Sequence, residues 1–77
     1  MVRIYFTFGS DPRFPFGRND YVVAEGTDAK DAIRKFNERH PERTPGIVNC
    51  AFFYTEEKFN EFRDDYYKGI EPAEIIR

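Results

Sequence analysis

Cysteine, histidine and tryptophan are almost missing from this chain of 77 residues, which has one cysteine (Cys50), one histidine (His40) and no tryptophan. A single cysteine excludes an internal disulfide framework, and a lone thiol favours a reducing compartment, so we expect a cytoplasmic protein. One histidine and one cysteine are too few for a zinc site, and no calcium-loop spacing occurs, so we expect no metal and no cofactor. The position of Cys50 in an apolar run is typical of an inert core thiol.

Sequence motifs for phosphate binding and catalysis are absent as well. Neither GxxxxGK[ST] nor GxGxxG occurs, and the abundant carboxylates lie on the outer sides of the predicted helices, where general acid–base catalysis has no anchor. We therefore expect a protein that is not an enzyme.

Neither sign of charge dominates the chain, which has 12 Lys and Arg, 14 Asp and Glu, and a net charge of −2. This balance argues against direct binding of nucleic acid. No apolar run approaches the roughly 18 residues of a membrane span, and no signal-peptide pattern follows Met1, so we expect no membrane association. The charge is uneven, because residues 51–77 alone have a net charge of −3.

Aromatic residues are abundant, since nine Phe and five Tyr make up 18% of the chain. Their burial can give a small domain the dense core that it needs without disulfides. We expect residues 1–77 to form a single domain.

Hydrophobic periodicity predicts three strands and two helices in the order ββαβα. Alternation predicts strands at Val2–Phe8, Tyr21–Glu25 and Ile47–Tyr54. Helical spacing predicts one helix capped by Thr27 or Asp28 and ending near Arg39, and a second, capped by Thr55, over Glu56–Asp65. Residues 71–74 (EPAE) predict a short helical turn that lets Ile75 and Ile76 reach the core.

These elements predict a two-layer α+β domain with a three-stranded, mainly antiparallel sheet in the order 2-1-3 and both helices on one face. The other face, bearing Arg3, Tyr5 and Thr7, is then solvated, dimerised or a binding platform. Both faces of the third strand are apolar, which indicates a strand that is central or covered on both sides.

The loop GSDPRFPFGRND, residues 9–20, is long for a hairpin connection, and such loops are often functional. It contains two aromatic residues between two arginines, namely Arg13, Phe14, Phe16 and Arg18. Two interpretations stay open, since the rings either fold back as a local core or form a surface that grips a partner.

The segments FTFGSDPRFPFGRNDY and ERTPGIVNCAFFYTEEKF resemble short uncharacterised proteins that bacteriophages and mobile elements of gut bacteria encode. The resemblance covers roughly residues 5–59. It implies a small accessory protein in the cytoplasm of a bacterial host, in the setting of anti-CRISPR and other anti-defence proteins that act by binding.

Three hypotheses for function follow. The first is a binding protein that inhibits a host defence protein by occluding its surface through Arg13, Phe14, Phe16, Arg18, Glu57, Glu61, Asp64 and Asp65. The second is a sponge that sequesters a small anionic, nucleotide-like ligand through Arg3, Tyr5, Arg13 and Arg18. The third is a structural or assembly protein that forms a homodimer through the open sheet face or the edge of the second strand.

Overall fold

The computed structural model describes residues 1–42 and 49–77. Its elements are β1 (Val2–Thr7), β2 (Tyr21–Gly26), α1 (Ala29–Arg39), β3 (Phe52–Thr55), α2 (Glu56–Tyr66) and β4 (Glu74–Ile76). The α+β class and the two helices are confirmed. Neither described helix has the length and apolar composition that are needed to cross a membrane.

The described sheet has four strands in the order β3-β1-β2-β4, so the prediction of three strands is wrong. The central β1 pairs antiparallel with both β2 and β3, whereas β4 adds to β2 in parallel. The predicted order 2-1-3 survives as the antiparallel part of this mixed sheet.

The fourth strand comes from the tail, where the sequence pattern predicted a helical turn. The Ala73 N–H donates a hydrogen bond of 2.8 Å to the Tyr21 carbonyl, and this bond docks the tail against β2. β-Branched Ile75 and Ile76 then continue in register with β2. Pairing with a distant strand therefore overrides the local helical signal of residues 71–74. As expected, Ile76 packs against the core, although Ile75 is exposed.

The two helices cover opposite faces of the sheet, so the prediction of two layers with both helices on one face is also wrong. On one face, α1 contributes Phe36 and Ala32 to a cluster with alternate residues of β1 and β2. On the other face, Phe59 of α2 packs against Tyr5 and Tyr21. The sheet is consequently the middle layer of three.

The predicted open face of the sheet is therefore closed. Tyr5 and Thr7 are each only 5% exposed, and Tyr5 stacks on Phe59 with a centroid distance of 4.5 Å. The edge of β2 is also occupied, because β4 pairs with it. Neither surface that was expected to form a homodimer is available.

The third strand departs most from expectation. It covers Phe52–Thr55 instead of residues 47–54, of which 47 and 48 lie outside the described part of the chain. It is not central, because it lies at one end of the described sheet order, and it is not covered on both sides, because a side chain of each face is exposed. Its first two side chains, Phe52 and Phe53, are 65% and 55% exposed.

Both helices begin at the predicted caps. The Asp28 side chain accepts a hydrogen bond from the Asp31 N–H at 2.8 Å, and the Asp31 carboxylate in turn accepts one from the Thr27 N–H at 2.9 Å. These contacts satisfy N–H groups at the start of α1 in a reciprocal capping arrangement. Thr55, the last residue of β3, caps α2 through the Lys58 N–H. No loop separates β3 from α2, so the start of α2 is fixed relative to the end of β3.

Candidate functional site

A row of four aromatic rings crosses from β3 to α2, and we call it the aromatic strip. The strip contains Phe52, Tyr54, Phe62 and Tyr66. Phe52 and Tyr54 alternate along β3 and lie on the α2 side of the sheet, while Phe62 and Tyr66 lie one helical turn apart. Successive ring centroids are separated by 6.3, 4.9 and 6.0 Å. These are contact distances for aromatic pairs, so the rings form a continuous surface.

The two ends of the strip face solvent. Phe52 is 65% exposed and Tyr66 is 70% exposed, whereas Tyr54 and Phe62 are half-buried and anchor the strip on the core. On the other side of the same strand, Phe53 lies next to Phe6 with a centroid distance of 6.1 Å. Aromatic side chains are therefore accessible on both sides of β3. Contiguous exposed apolar surface of this kind marks interaction sites in soluble proteins.

Acidic side chains lie on the outer, solvent-facing side of α2, and we call them the acidic rim. The rim consists of Glu57, Glu61, Asp64 and Asp65, all of them exposed. Glu61 and Asp65 each directly precede a ring of the strip and lie one turn apart. Lys58 lies 3.5 Å from Glu61, but this exposed pair is weak. Glu61 and Asp65 therefore give the α2 part of the aromatic strip a negative border.

The basic residue Arg63 of α2 is turned inward and does not neutralise the rim. Its guanidinium donates a hydrogen bond of 2.7 Å to the Tyr21 hydroxyl and lies over the rings of Tyr21 and Phe59 at 5.6 and 5.8 Å. These contacts fix Arg63 beneath the helix. The outer side of α2 is correspondingly more acidic than its composition suggests.

Arg3, Tyr5 and Glu56 form a separate polar group at the start of α2. Arg3 pairs with Glu25 at 2.8 Å and with Glu56 at 3.4 Å, and the Tyr5 hydroxyl donates to Glu56 at 3.2 Å. Burial, reinforced by the charge of Glu56, raises the pKa of Tyr5. The carboxylates already occupy these donors, so this group is a structural tie between β1 and α2.

The rings of the long loop fold back onto the sheet, as the first of the two interpretations predicted. Phe14 and Phe16 lie 6.3 and 5.3 Å from Phe8, on the α1 side of the sheet. Arg13 is held by Asp11 through contacts of 2.6 to 3.1 Å, and hydrogen bonds from Arg13 lower the pKa of Asp11 to about 2. This loop is a satellite core on the α1 face, and the acidic rim lies on the opposite face.

The residues predicted for partner binding are thus divided between two surfaces. The structure brings Glu57, Glu61, Asp64 and Asp65 together on α2, and it places Arg13, Phe14, Phe16 and Arg18 in the loop of residues 9–20. The set predicted for a small anionic ligand is not assembled either. Arg3 lies near the beginning of β1, whereas Arg13 and Arg18 lie beyond its end, and Tyr5 is buried. Arg18 lines an open cavity of about 550 Å³ in the loop, without Arg3 or Tyr5.

Sequence reasoning missed the exposed aromatics Phe52, Phe53 and Tyr66. Phe52 and Phe53 were assigned to a strand that is central or covered on both sides, and the predicted second helix ended at Asp65, before Tyr66. The sequence correctly showed that both faces of this strand are apolar. That pattern also fits a strand at the edge of a sheet with exposed apolar side chains.

The described residues contain no group of side chains that could hold a metal ion. Across residues 1–42 and 49–77, no three His, Cys, Asp or Glu side chains are grouped so that they can hold a metal ion. Cys50 is half-buried against the core, and burial raises the pKa of its thiol, which disfavours the reactive thiolate.

The fold and surface define a small α+β protein with a mixed sheet between two helices and one exposed aromatic edge. No family model, curated protein or solved structure matches the chain.

Proposed function

We propose that this protein is a non-catalytic binding module that blocks a partner protein by covering its surface with the aromatic strip and the acidic rim. The observation that carries the proposal is the clustering of exposed rings with a border of one charge. Large aromatic side chains contribute most of the energy of protein interfaces, and charged borders speed association and select the partner.

The partner that fits this surface has an apolar centre with basic residues around it. A groove that binds nucleic acid is one such surface, since it carries Lys and Arg. The resemblance of the sequence to bacteriophage accessory proteins supports a host protein, including a defence protein, as the target. By covering a basic groove, a domain of this size competes with the nucleic acid that the groove normally holds.

The acidic rim can be tested with two variants that have the same change in net charge. In the first, Glu61→Lys and Asp65→Lys reverse the rim beside the strip. In the control, Glu38→Lys and Glu42→Lys reverse two exposed carboxylates at and just beyond the end of α1, on the opposite side of the sheet. Both variants are expected to keep the wild-type melting temperature within a few degrees, because exposed substitutions change stability by about 0.5 kcal/mol or less.

The measurement is quantitative affinity purification from extracts of gut bacteria, with the wild type and both variants as baits. A specific partner is expected to bind the wild type and the α1 control equally and to be depleted about tenfold by the rim variant, since a rim charge controls association. Equal capture by all three baits would refute a role for the rim. A partner that keeps its nucleic acid when this protein binds to it would refute occlusion of a nucleic-acid groove.

A further inference from the structure

We infer that the outer edge of β3, beside which the described residues place no other strand, accepts an extended, basic segment of the partner protein as an additional strand. This inference rests on the proposed function, because it specifies how the same surface holds its partner. Strand addition uses the main-chain N–H and C=O groups of an edge strand for affinity and the alternate side chains for specificity.

The two ends of the described sheet are treated differently. At one end, β4 has only three residues, and its Glu74 is held by Arg39 at 2.9 Å and by His40 at 2.6 Å. Pro72 precedes this strand and Arg77 follows it. Short length, proline and charge are the usual protection of an edge against further pairing. The β4 edge therefore has the features of a protected edge.

The β3 edge lacks charged protection in its sequence, which is Phe-Phe-Tyr-Thr. Its described pairing is with β1 on one side only. Alternate residues of a strand direct their backbone groups toward opposite neighbours, so β3 presents main-chain donors and acceptors outward. A strand added there would place alternate side chains beside Phe52 and Tyr54 on the α2 side and beside Phe53 on the α1 side.

The charge of α2 selects the occupant of this edge. A second copy that paired β3 with β3 across a two-fold axis would bring the two α2 helices to the same side of one continuous sheet. Each α2 has five acidic and two basic residues, so like charges would face each other. The occupant that fits is a segment with alternating apolar residues and with Lys or Arg at its flanks. Its apolar side chains contact the aromatic strip, and its basic side chains pair with Glu61 and Asp65.

The probe for this inference is a displayed library of random nine-residue peptides, selected on the full chain. We expect enrichment of proline-free peptides with alternating apolar residues and flanking Lys or Arg. Bound peptide should slow hydrogen exchange of the amides in residues 52–55 at least about tenfold, because strand addition protects edge amides from solvent. Peptide affinity should fall about tenfold in Phe52→Thr, since the ring is lost while a strand-forming residue is kept. Affinity should also fall in the rim variant, but not in the α1 control.

Three results would overturn strand addition. They are a selection that yields no binder, enriched peptides that are acidic or proline-rich, and bound peptides that protect α2 or the loop while the amides of residues 52–55 exchange as before. Sedimentation of the protein alone tests whether a second copy of the chain occupies the β3 edge. If the protein alone is a dimer with residues 52–55 already protected, a second copy fills the edge and the inference is wrong. The proposed function is tested separately by affinity purification with the rim variant. Capture of a partner that depends on the rim can persist even if strand addition at β3 is refuted.

Discussion

The hydroxyl group of Tyr21 in β2 accepts a hydrogen bond of 2.7 Å from Arg63 of α2 and donates one of 2.8 Å to the carbonyl of Ile70, which lies between α2 and β4. Tyr21 is fully buried, so these partners replace the water that the hydroxyl loses on folding. One buried hydroxyl thereby fixes the end of α2 and the chain that leads to β4.

We expect Tyr21→Phe to destabilise the protein by about 1–3 kcal/mol, because the variant leaves the Arg63 guanidinium and the part-buried Ile70 carbonyl without this partner. Urea unfolding followed by circular dichroism measures this loss. Tyr66→Phe is the matched control, since its side chain is 70% exposed and its change should stay within about 0.5 kcal/mol. Equal midpoints for the two variants would contradict the structural role of Tyr21.

Tyr5 was predicted to lie on an open face of the sheet, but it is buried, so we expect Tyr5→Glu to unfold the protein. The ring is 5% exposed and stacked on Phe59, so a glutamate there removes the aromatic packing and buries a charge. The loss should exceed about 3 kcal/mol, which unfolds much of a small domain. The measurement is the melting temperature and the near-ultraviolet circular dichroism of the variant.

Tyr5→Phe separates packing from charge at the same position. It keeps the stack on Phe59 and removes only the hydrogen bond of 3.2 Å to Glu56, so the expected cost is about 1 kcal/mol. A folded, fully cooperative Tyr5→Glu variant would show that Tyr5 is accessible and would contradict the three-layer arrangement.

The local elements of this fold were predictable because their signals are local. Alternation identified β1 and β2, and the caps Asp28 and Thr55 identified the helix starts. The side of the sheet on which each helix lies was not predictable from periodicity, because the face bearing Tyr5 and Thr7 looks amphipathic until Phe59 covers it. Similarly, β4 begins within a segment, residues 71–74, whose local sequence favours a helical turn, and it is a strand because it pairs with β2.

For the same reason, the acidic part of the candidate site was predictable from the sequence and the exposed aromatic part was not. Helical spacing placed Glu61 and Asp65 on the outer side of α2, which the structure confirms. The exposed Phe52 and Phe53 were misassigned, since an apolar strand is normally a buried one. The position of β3 at the end of the described sheet is a long-range property, and that position converts two buried-looking rings into a surface.

Gly26 ends β2 where α1 approaches closely, and we expect Gly26→Ala to be strongly destabilising. A Cβ atom there would lie 2.5 Å from the Ala32 nitrogen and 2.9 Å from an Asp31 carboxylate oxygen, so the backbone of α1 would have to move. Overpacking of this kind costs roughly 1–3 kcal/mol. Gly17→Ala is the control, because its Cβ would meet only a carboxylate oxygen of the Asp20 side chain, at 3.3 Å, and no backbone atom. Thermal unfolding of the two variants should therefore give clearly different midpoints.

The final prediction concerns acid stability and the carboxylate of Asp31. Hydrogen bonds from the Thr27 N–H and from Arg34 lower the pKa of Asp31 to about 2, against an ordinary value of 3.8. A carboxylate with a lowered folded-state pKa stabilises the protein fully above its unfolded pKa and loses that contribution as the pH falls through the folded pKa. The wild type should accordingly be more stable than Asp31→Asn at neutral pH, and the difference should shrink between about pH 4 and pH 2.

The pH series has to be read as a difference between variants, because Asp11 also has a pKa of about 2 and titrates in the same window. Its effect is common to the wild type and Asp31→Asn, so it cancels in the difference of their unfolding free energies at each pH. Glu57→Gln controls for the loss of a charge at an exposed site and should differ little from the wild type throughout. A wild-type advantage over Asp31→Asn that persisted unchanged at pH 2 would show that the carboxylate acts through its shape and not through its charge.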